Sequence, residues 1–575
     1  MSRYRRAAEP GQVAPPLREW VAELRAWANR FGREPAARKA ALLRECGRST
    51  LSDPETLLAY HDCLLFLLAY PESPGLHAAA QRELIRVAAG ARVMLEAGPA
   101  RTRARLANSG VAYAPMTIAF GYDIARWLAI EHPRHAEIDS FDENGASLAD
   151  LLRHALPAME FELLSGEAAP EEFLREASSG HRGTRLQWLI AQIEGLPCSD
   201  NLREYLFDSL KAFIRISPGA TALSRTFVRG PGGRTYYHRG ELKRSVDPQA
   251  LMSRPLAPPR TLTRTQRRHV LDAGRAMLAS LGRETDALAA AEPEGVEYHM
   301  LGRGVGIALY TMAPGRRLPL DSHVGFMLFK NSLPVGYGGA WPFLGTAKVG
   351  VNVFAPYRGG ESAYLFCQVL RVYCQRFGIQ HFIAEPSQFG GGNREGLESG
   401  AFWFYYRLGF RPVNAALAAL AAAEYQRMRD TSGYRAPLPV LRRFTRSDIE
   451  LRLGPSAPIL APCDPADLSL AVSAWIAKRF HGSRGKAVAA ATRIATQALG
   501  GGETSAWPDP ERAAFQSYCL ILCRIPDLAR WPAADRARAI AVARAKGGSE
   551  FRYYDLLRRH ARLQAALREL ATRDT

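Results

Sequence analysis

From Leu17 to about Ile216 the chain carries apolar positions at helical spacing, interrupted by Pro, Gly or polar residues, as in REWVAELRAWANRF and DPETLLAYHDCLLFLLAYP. In the second stretch Asp53 is the expected cap and Pro54 the first helical residue, where its missing N–H costs nothing. No unit of roughly 20 to 50 residues recurs, so this region is predicted to be an irregular helical domain rather than a solenoid. Arg229 to Pro259 holds GPGG, DP, RP and APP between basic and aromatic residues and reads as a connector that wraps a surface. Helical spacing returns over Thr261 to Leu288, with Val270, Leu271, Met277 and Leu278 on one face, Gly274 between them and Thr263 as cap. The period then changes. GVGIALYTM, VGFMLFKN, LPVGYGGAW, AKVGVNVFA and QHFIAEP are short, apolar and rich in Val, Ile, Phe and Tyr, which predicts a sheet.

Asn331-Ser332, followed by Leu333-Pro334, suits a tight turn between antiparallel strands, and Tyr357 to Phe377 suits a helix joining two parallel neighbours. An Ala-rich helix follows Asn414, and the chain is helical again from Asp464, ending in an amphipathic basic segment that reads as a packing helix with a solvated face. The predicted fold class is therefore α+β and multidomain. A helical domain (1–223) and a basic connector (224–260) precede a mixed-sheet domain (261–430), and a second helical domain (431–575) follows.

Composition changes this picture in three ways. At 575 residues, 47% hydrophobic and 23% charged, the chain can bury large cores and is not a disordered protein. Its eight cysteines are scattered without a CxxC pair, so no disulfide framework or Cys-rich zinc site is indicated, and no metal is expected. The opening MSRYRRAAEPGQVAPP lacks the apolar core of a secretion signal, and no apolar run approaches the ~20 residues needed to cross a bilayer, so the expectation is a cytoplasmic protein. Net charge is +19, and about half of that excess lies between Ser224 and Arg275, where twelve basic residues face three acidic ones. Such a stretch favours phosphate-rich partners, nucleic acid included, although an Arg-rich solvated surface accounts for the same composition.

The candidate chemistry lies in VNVFAPYRGGESAYLFCQVLRVYCQRFG and in AFWFYYRLGF, residues 401–410. A strand, a glycine turn, a helix, a second strand and then a helix ending in Leu-Gly-Phe resemble the GNAT superfamily of acyltransferases over residues 298–413. In that family the turn reads Gln/Arg-x-x-Gly-x-Gly/Ala, and its amides bind the pyrophosphate of acetyl-CoA. Aligned on Gly360, Tyr357 and Ser362 occupy the outer motif positions and depart from the pattern, and Ala363 enters the helix. Arg358 and Gly359 complete the expected binding turn, while Glu361 must point outward or cap the helix to avoid repelling an anion.

The resemblance assigns Tyr405 as the acid that protonates the departing thiolate, a role suited to a phenol with a pKa near ~10. Where the family often has Asn ahead of the motif's Ala, this chain has Glu398, with Asn393 farther upstream. Val353 or Phe354 is the expected N–H donor to the thioester carbonyl, and Glu385 or else His323 the base that accepts the amine proton. The implied function is acyl-CoA-dependent N-acyl transfer, most simply acetyl transfer, to an amine on a small molecule or protein. A GNAT-like transferase using aminoacyl-tRNA, and a non-catalytic acyl-CoA or partner-binding module, are the alternatives.

Other patterns lack the context their chemistry requires. In LGRGVGIAL a strand rather than a helix follows the glycines, which excludes a dinucleotide fingerprint, and no strand is expected before them. GLESG lacks the spacing of a hydrolase elbow. His61-Asp62 lies in an apolar helix, where such a pair satisfies a local polar need.

Overall fold

The computed structural model describes residues 17–164, 168–454, 463–501 and 504–573, so the arginine- and proline-containing opening segment lies outside the described residues. The predicted caps are present: the Asp53 carboxylate accepts from the Thr56 N–H, and Thr263 forms a reciprocal capping box with Gln266.

The N-terminal region differs from the all-helical expectation. Strands β1 (Met116–Ala119), β2 (Ala136–Phe141) and β3 (Ala212–Ile216) form an antiparallel sheet of order β1-β3-β2 among its helices. Ala212, Ile214 and Ile216 alternate inward and are buried, which is the period of a half-buried strand.

The main sheet has eight strands: β4 (Ala291–Met300), β5 (Val305–Met312), β6 (Val324–Lys330), β7 (Leu333–Phe343), β8 (Thr346–Val353), β9 (His381–Ala384), β10 (Arg411–Pro412) and β11 (Ile449–Arg452). Their order is β10-β11-β9-β8-β7-β6-β5-β4, antiparallel except for the β8/β9 pair. Two details correct the sequence reading. β4 does precede the glycines of LGRGVGIAL, its opening Glu292-Pro293-Glu294 having masked the strand pattern, and the contrary expectation of no strand there fails. β11 enters the sheet from beyond the boundary drawn at residue 430, a region expected to be helical.

Two helices explain why the central strands are apolar throughout. Gly274 of the Arg264–Ala279 helix lies against Met327 on one face, whereas Tyr373 of the Ser362–Phe377 helix meets Phe326, ring to ring at 6.2 Å, on the other. All seven residues of β6 and all eight of β5 are consequently buried. Each fully buried Leu, Val or Phe there stabilises by about 1.5–3 kcal/mol.

The connector is fastened rather than loose. His238 N–H donates to the Pro71 carbonyl at 2.8 Å, Lys243 N–H to Glu361 at 2.9 Å and Leu256 N–H to Gln375 at 2.7 Å. On the C-terminal side, Arg376 bridges Glu297 at 2.8 Å and Asp555 at 2.7 Å, while Phe377 stacks on Phe551 at 6.2 Å. Helices before and after the sheet thus share one continuous apolar core with it.

Candidate active-site cleft at the splayed strand pair

β8 and β9 pair only at Thr346↔His381, Ala347↔Phe382 and Lys348↔Ile383. β8 then runs on to Val353, whereas the chain leaves β9 at Ala384 and turns through Pro386–Gln388. The strands part, and the β8 edge beyond Lys348 has no strand partner on that side. Phe354 N–H donates to the Val335 carbonyl of β7 at 3.0 Å. Antiparallel alternation therefore turns the amides of Val353 and Val351 toward the splay. Of the two expected donors, Val353 retains a free direction and Phe354 does not.

A cavity of about 400 Å³ opens at the splay, lined among others by His323, Asn352, Glu385, Gln388 and Asn393. Glycines shape it. A Cβ at Gly339 would run into the His323 ring, and one at Gly350 into the Gln388 carboxamide. His323 stacks on Trp341 at 5.2 Å with 8° between planes, and burial lowers its pKa, so the imidazole is neutral near pH 7. Glu385 is half exposed and pairs with Lys348 at 3.3 Å, and Lys348 also reaches Asp464 at 3.4 Å. Burial acts to lower the Lys348 pKa, but the two carboxylates outweigh it and the net shift is upward.

Tyr405 does not line the cavity. Its helix, Ala401–Arg407, sets it at 2% exposure among Phe366, Phe404 and Phe410, with ring centroids 5.3 to 5.6 Å away. Burial raises the phenol's pKa, opposed by a main-chain hydrogen bond from Val351. The side chain therefore meets the β8 edge from behind the cavity wall.

The glycine turn is half occupied by the protein itself. The Tyr70 ring roofs Gly360, and the Tyr70 hydroxyl accepts from Glu361 N–H at 3.3 Å. Glu361 neither points outward nor caps the helix. It is fully buried, accepting from Lys330 Nζ at 2.9 Å, from Lys243 N–H at 2.9 Å and from the Arg303 guanidinium. Burial acts to raise its pKa, but Lys330, Arg303 and the Lys243 amide outweigh it and hold the carboxyl below its usual range. Tyr357 is buried, and Arg358 donates to the Val353 carbonyl at 3.0 Å while pairing with Glu395 at 2.5 Å. Gly359 stays open to solvent and Ser362 and Ala363 half open, and the first amides of a helix have no acceptor within it.

Sequence reasoning missed Lys348, Gln388 and Trp341 as cavity residues. The available signal was GYGGAW, because a glycine pair inside an otherwise apolar strand marks the close approach of another group, here His323. Among the described residues no group of three or more His, Cys, Asp or Glu could hold a metal ion, and no helix is long and apolar enough to cross a membrane. Against known protein families, curated proteins and solved structures alike, the chain has no match.

Proposed function

We propose that the β8/β9 splay is the active site of a GNAT-like acyltransferase that moves an acyl group from a CoA thioester to an amine. The observation that carries this reading is the convergence of His323, Glu385 and the unpaired β8 edge on one cavity, with Tyr405 on the same edge at Val351. These groups come from separate segments, and each matches a requirement of acyl transfer. A neutral His323 is available to accept the amine proton as the C–N bond forms. The Val353 amide is free to donate to the carbonyl oxygen as charge develops on it. Tyr405, whose hydroxyl accepts from the Val351 main chain behind the cavity wall, is a positioning residue that holds the β8 edge, and the thiolate released when the C–S bond breaks takes up the proton that His323 accepted from the amine. Glu385, already paired with Lys348, suits orientation of a cationic acceptor better than proton abstraction.

The turn fits a diphosphate at one end only. Gly359, Ser362, Ala363 and Arg358 offer donors there, whereas Gly360 and Glu361 are sealed beneath Tyr70. When bound, the thioester supplies the activated acyl carbon and its thiolate leaving group, and the acceptor supplies the attacking nitrogen.

Thiol release from acetyl-CoA and longer acyl-CoAs in the presence of a panel of primary amines tests the reading. His323→Ala is expected to cut turnover by about 10²-fold, and Tyr405→Phe, which removes the acceptor of the Val351 amide, to lower it by a smaller factor with the KM for the thioester little changed. Turnover unaffected by both substitutions would remove the assignment.

A further inference from the structure

A larger cavity, about 750 Å³, lies toward the opposite edge of the sheet, between the connector and the turns that join β4 to β5 and β6 to β7. Each turn has two successive residues in the left-handed region: Arg303 and Gly304 at φ 65° and 71°, Asn331 and Ser332 at 47° and 67°. The connector is tied to the second turn. Gly230 N–H donates to the Ser332 carbonyl at 2.8 Å, Tyr236 N–H to Asn331 Oδ1 at 2.8 Å and the Ser332 hydroxyl to the Pro231 carbonyl at 3.0 Å. Gly232, Gly233 and Arg234 are thereby held along the cavity. A Cβ at Gly232 would touch nothing, so the backbone there is open to a ligand.

The basic stretch divides sharply around this cavity. Arg225 is spent on Asp62 and the Ser109 carbonyl, Arg229 on the carbonyls of Thr226 and Val228, and Arg275 on those of Leu288, Ala289 and Ala291. Arg234, Arg239 and Arg260 instead line the cavity, Arg260 with one guanidinium nitrogen on the Gly232 carbonyl at 3.1 Å; no acidic residue lines the cavity, and among the described residues none of the three has a carboxylate partner. The cavity also holds Tyr298, which is 5% exposed and whose hydroxyl has no hydrogen-bond partner among the described residues. Tyr236 and Tyr237 add aromatic surface. Guanidinium groups without counter-charges match phosphate oxygens in geometry and charge, and tyrosine faces accept a base by stacking.

We propose that this cavity binds a nucleoside phosphate, its phosphate on Arg234, Arg239 and Arg260 and its base against the tyrosines, either as a free nucleotide or as the terminal nucleotide of a strand. The site is separate from the splay, and binding there does not depend on acyl transfer.

Calorimetric titration of the full chain with ATP, AMP, pyrophosphate and a short single-stranded oligonucleotide tests it, at low salt and at physiological salt. ATP is expected to bind more tightly than pyrophosphate, and the double substitution Arg234→Ala and Arg239→Ala to weaken it at least about tenfold and flatten its salt dependence. Both side chains are exposed, so the variant keeps the fold, which an unchanged melting temperature checks. Tyr298→Phe, which removes only the unpartnered hydroxyl, is expected to weaken binding severalfold. An oligonucleotide that binds more tightly than ATP and is lost in the double variant identifies a strand end, and ATP binding alone identifies the free nucleotide. No binding of any probe, binding unchanged in the double variant, or pyrophosphate held as tightly as ATP would each overturn the proposal.

Discussion

Two charged triads of opposite composition flank the sheet. Glu361 is a carboxylate between two cations, Lys330 and Arg303, whereas Lys348 is a cation between two carboxylates, Glu385 and Asp464. The pair chemistry is the same and the surroundings are not. Lys330 and Glu361 have no side-chain exposure, while Lys348, Glu385 and Asp464 retain 41%, 48% and 41%. Burial makes the first triad a structural clamp joining the connector, the β4–β5 turn and the Ser362–Phe377 helix. Exposure leaves the second exchangeable, bordering the splay cavity where an incoming charged group can compete for it.

The largest effect should come from breaking the buried triad. Glu361→Ala strands Lys330 away from water, leaves Arg303 without its carboxylate and is expected to cost about 3–5 kcal/mol in urea unfolding at pH 7, and a loss below about 1 kcal/mol would mean that the clamp is not load-sharing. Next in size is a pH effect. Burial, and then the nearby Lys330 charge, push the pKa of His238, beside Arg303, down to about 3. A depressed pKa gives stability that is present above the unfolded value, near ~6.5, and lost as pH falls toward the folded one. Unfolding between pH 6.5 and 4 should therefore show a decline on the order of 2–3 kcal/mol from this group, which His238→Phe flattens. Glu361, whose carboxyl is also depressed, adds a separate loss only below about pH 4.5. The smallest effect is expected at the exposed triad, where Lys348→Met should change stability by less than about 1 kcal/mol. A larger loss there would erase the contrast.

How much of this was written in the sequence depends on the distance over which each feature is determined. The central strands were readable because burial on both faces makes β5 and β6 apolar without interruption, and the Asp53 and Thr263 caps are set within four residues. β1, β2 and β3 were not, since runs of four to six residues among helices give too short an alternation to outweigh their surroundings. At the site, the splay follows from a helix joining two parallel strands, a local pattern. The inward turn of Glu361 is not local, because Arg303, Lys330 and Tyr70 approach it from separate parts of the chain. Nor could the sequence say that Tyr405 would sit behind the cavity wall, an outcome set by Phe366 and Phe410 packing around it.

The central claim is that the splay and its half-open glycine turn take a CoA thioester, and thermal unfolding of the full chain with acetyl-CoA and longer acyl-CoAs addresses it most directly. A ligand at 100 times its dissociation constant should stabilise by about 2.7 kcal/mol, and Ser362→Asp, which brings a carboxylate to the open end of the turn, should abolish that shift while sparing the unliganded melting temperature. Absence of a shift with every CoA ester, or a shift of equal size in the Ser362→Asp variant, would contradict the account.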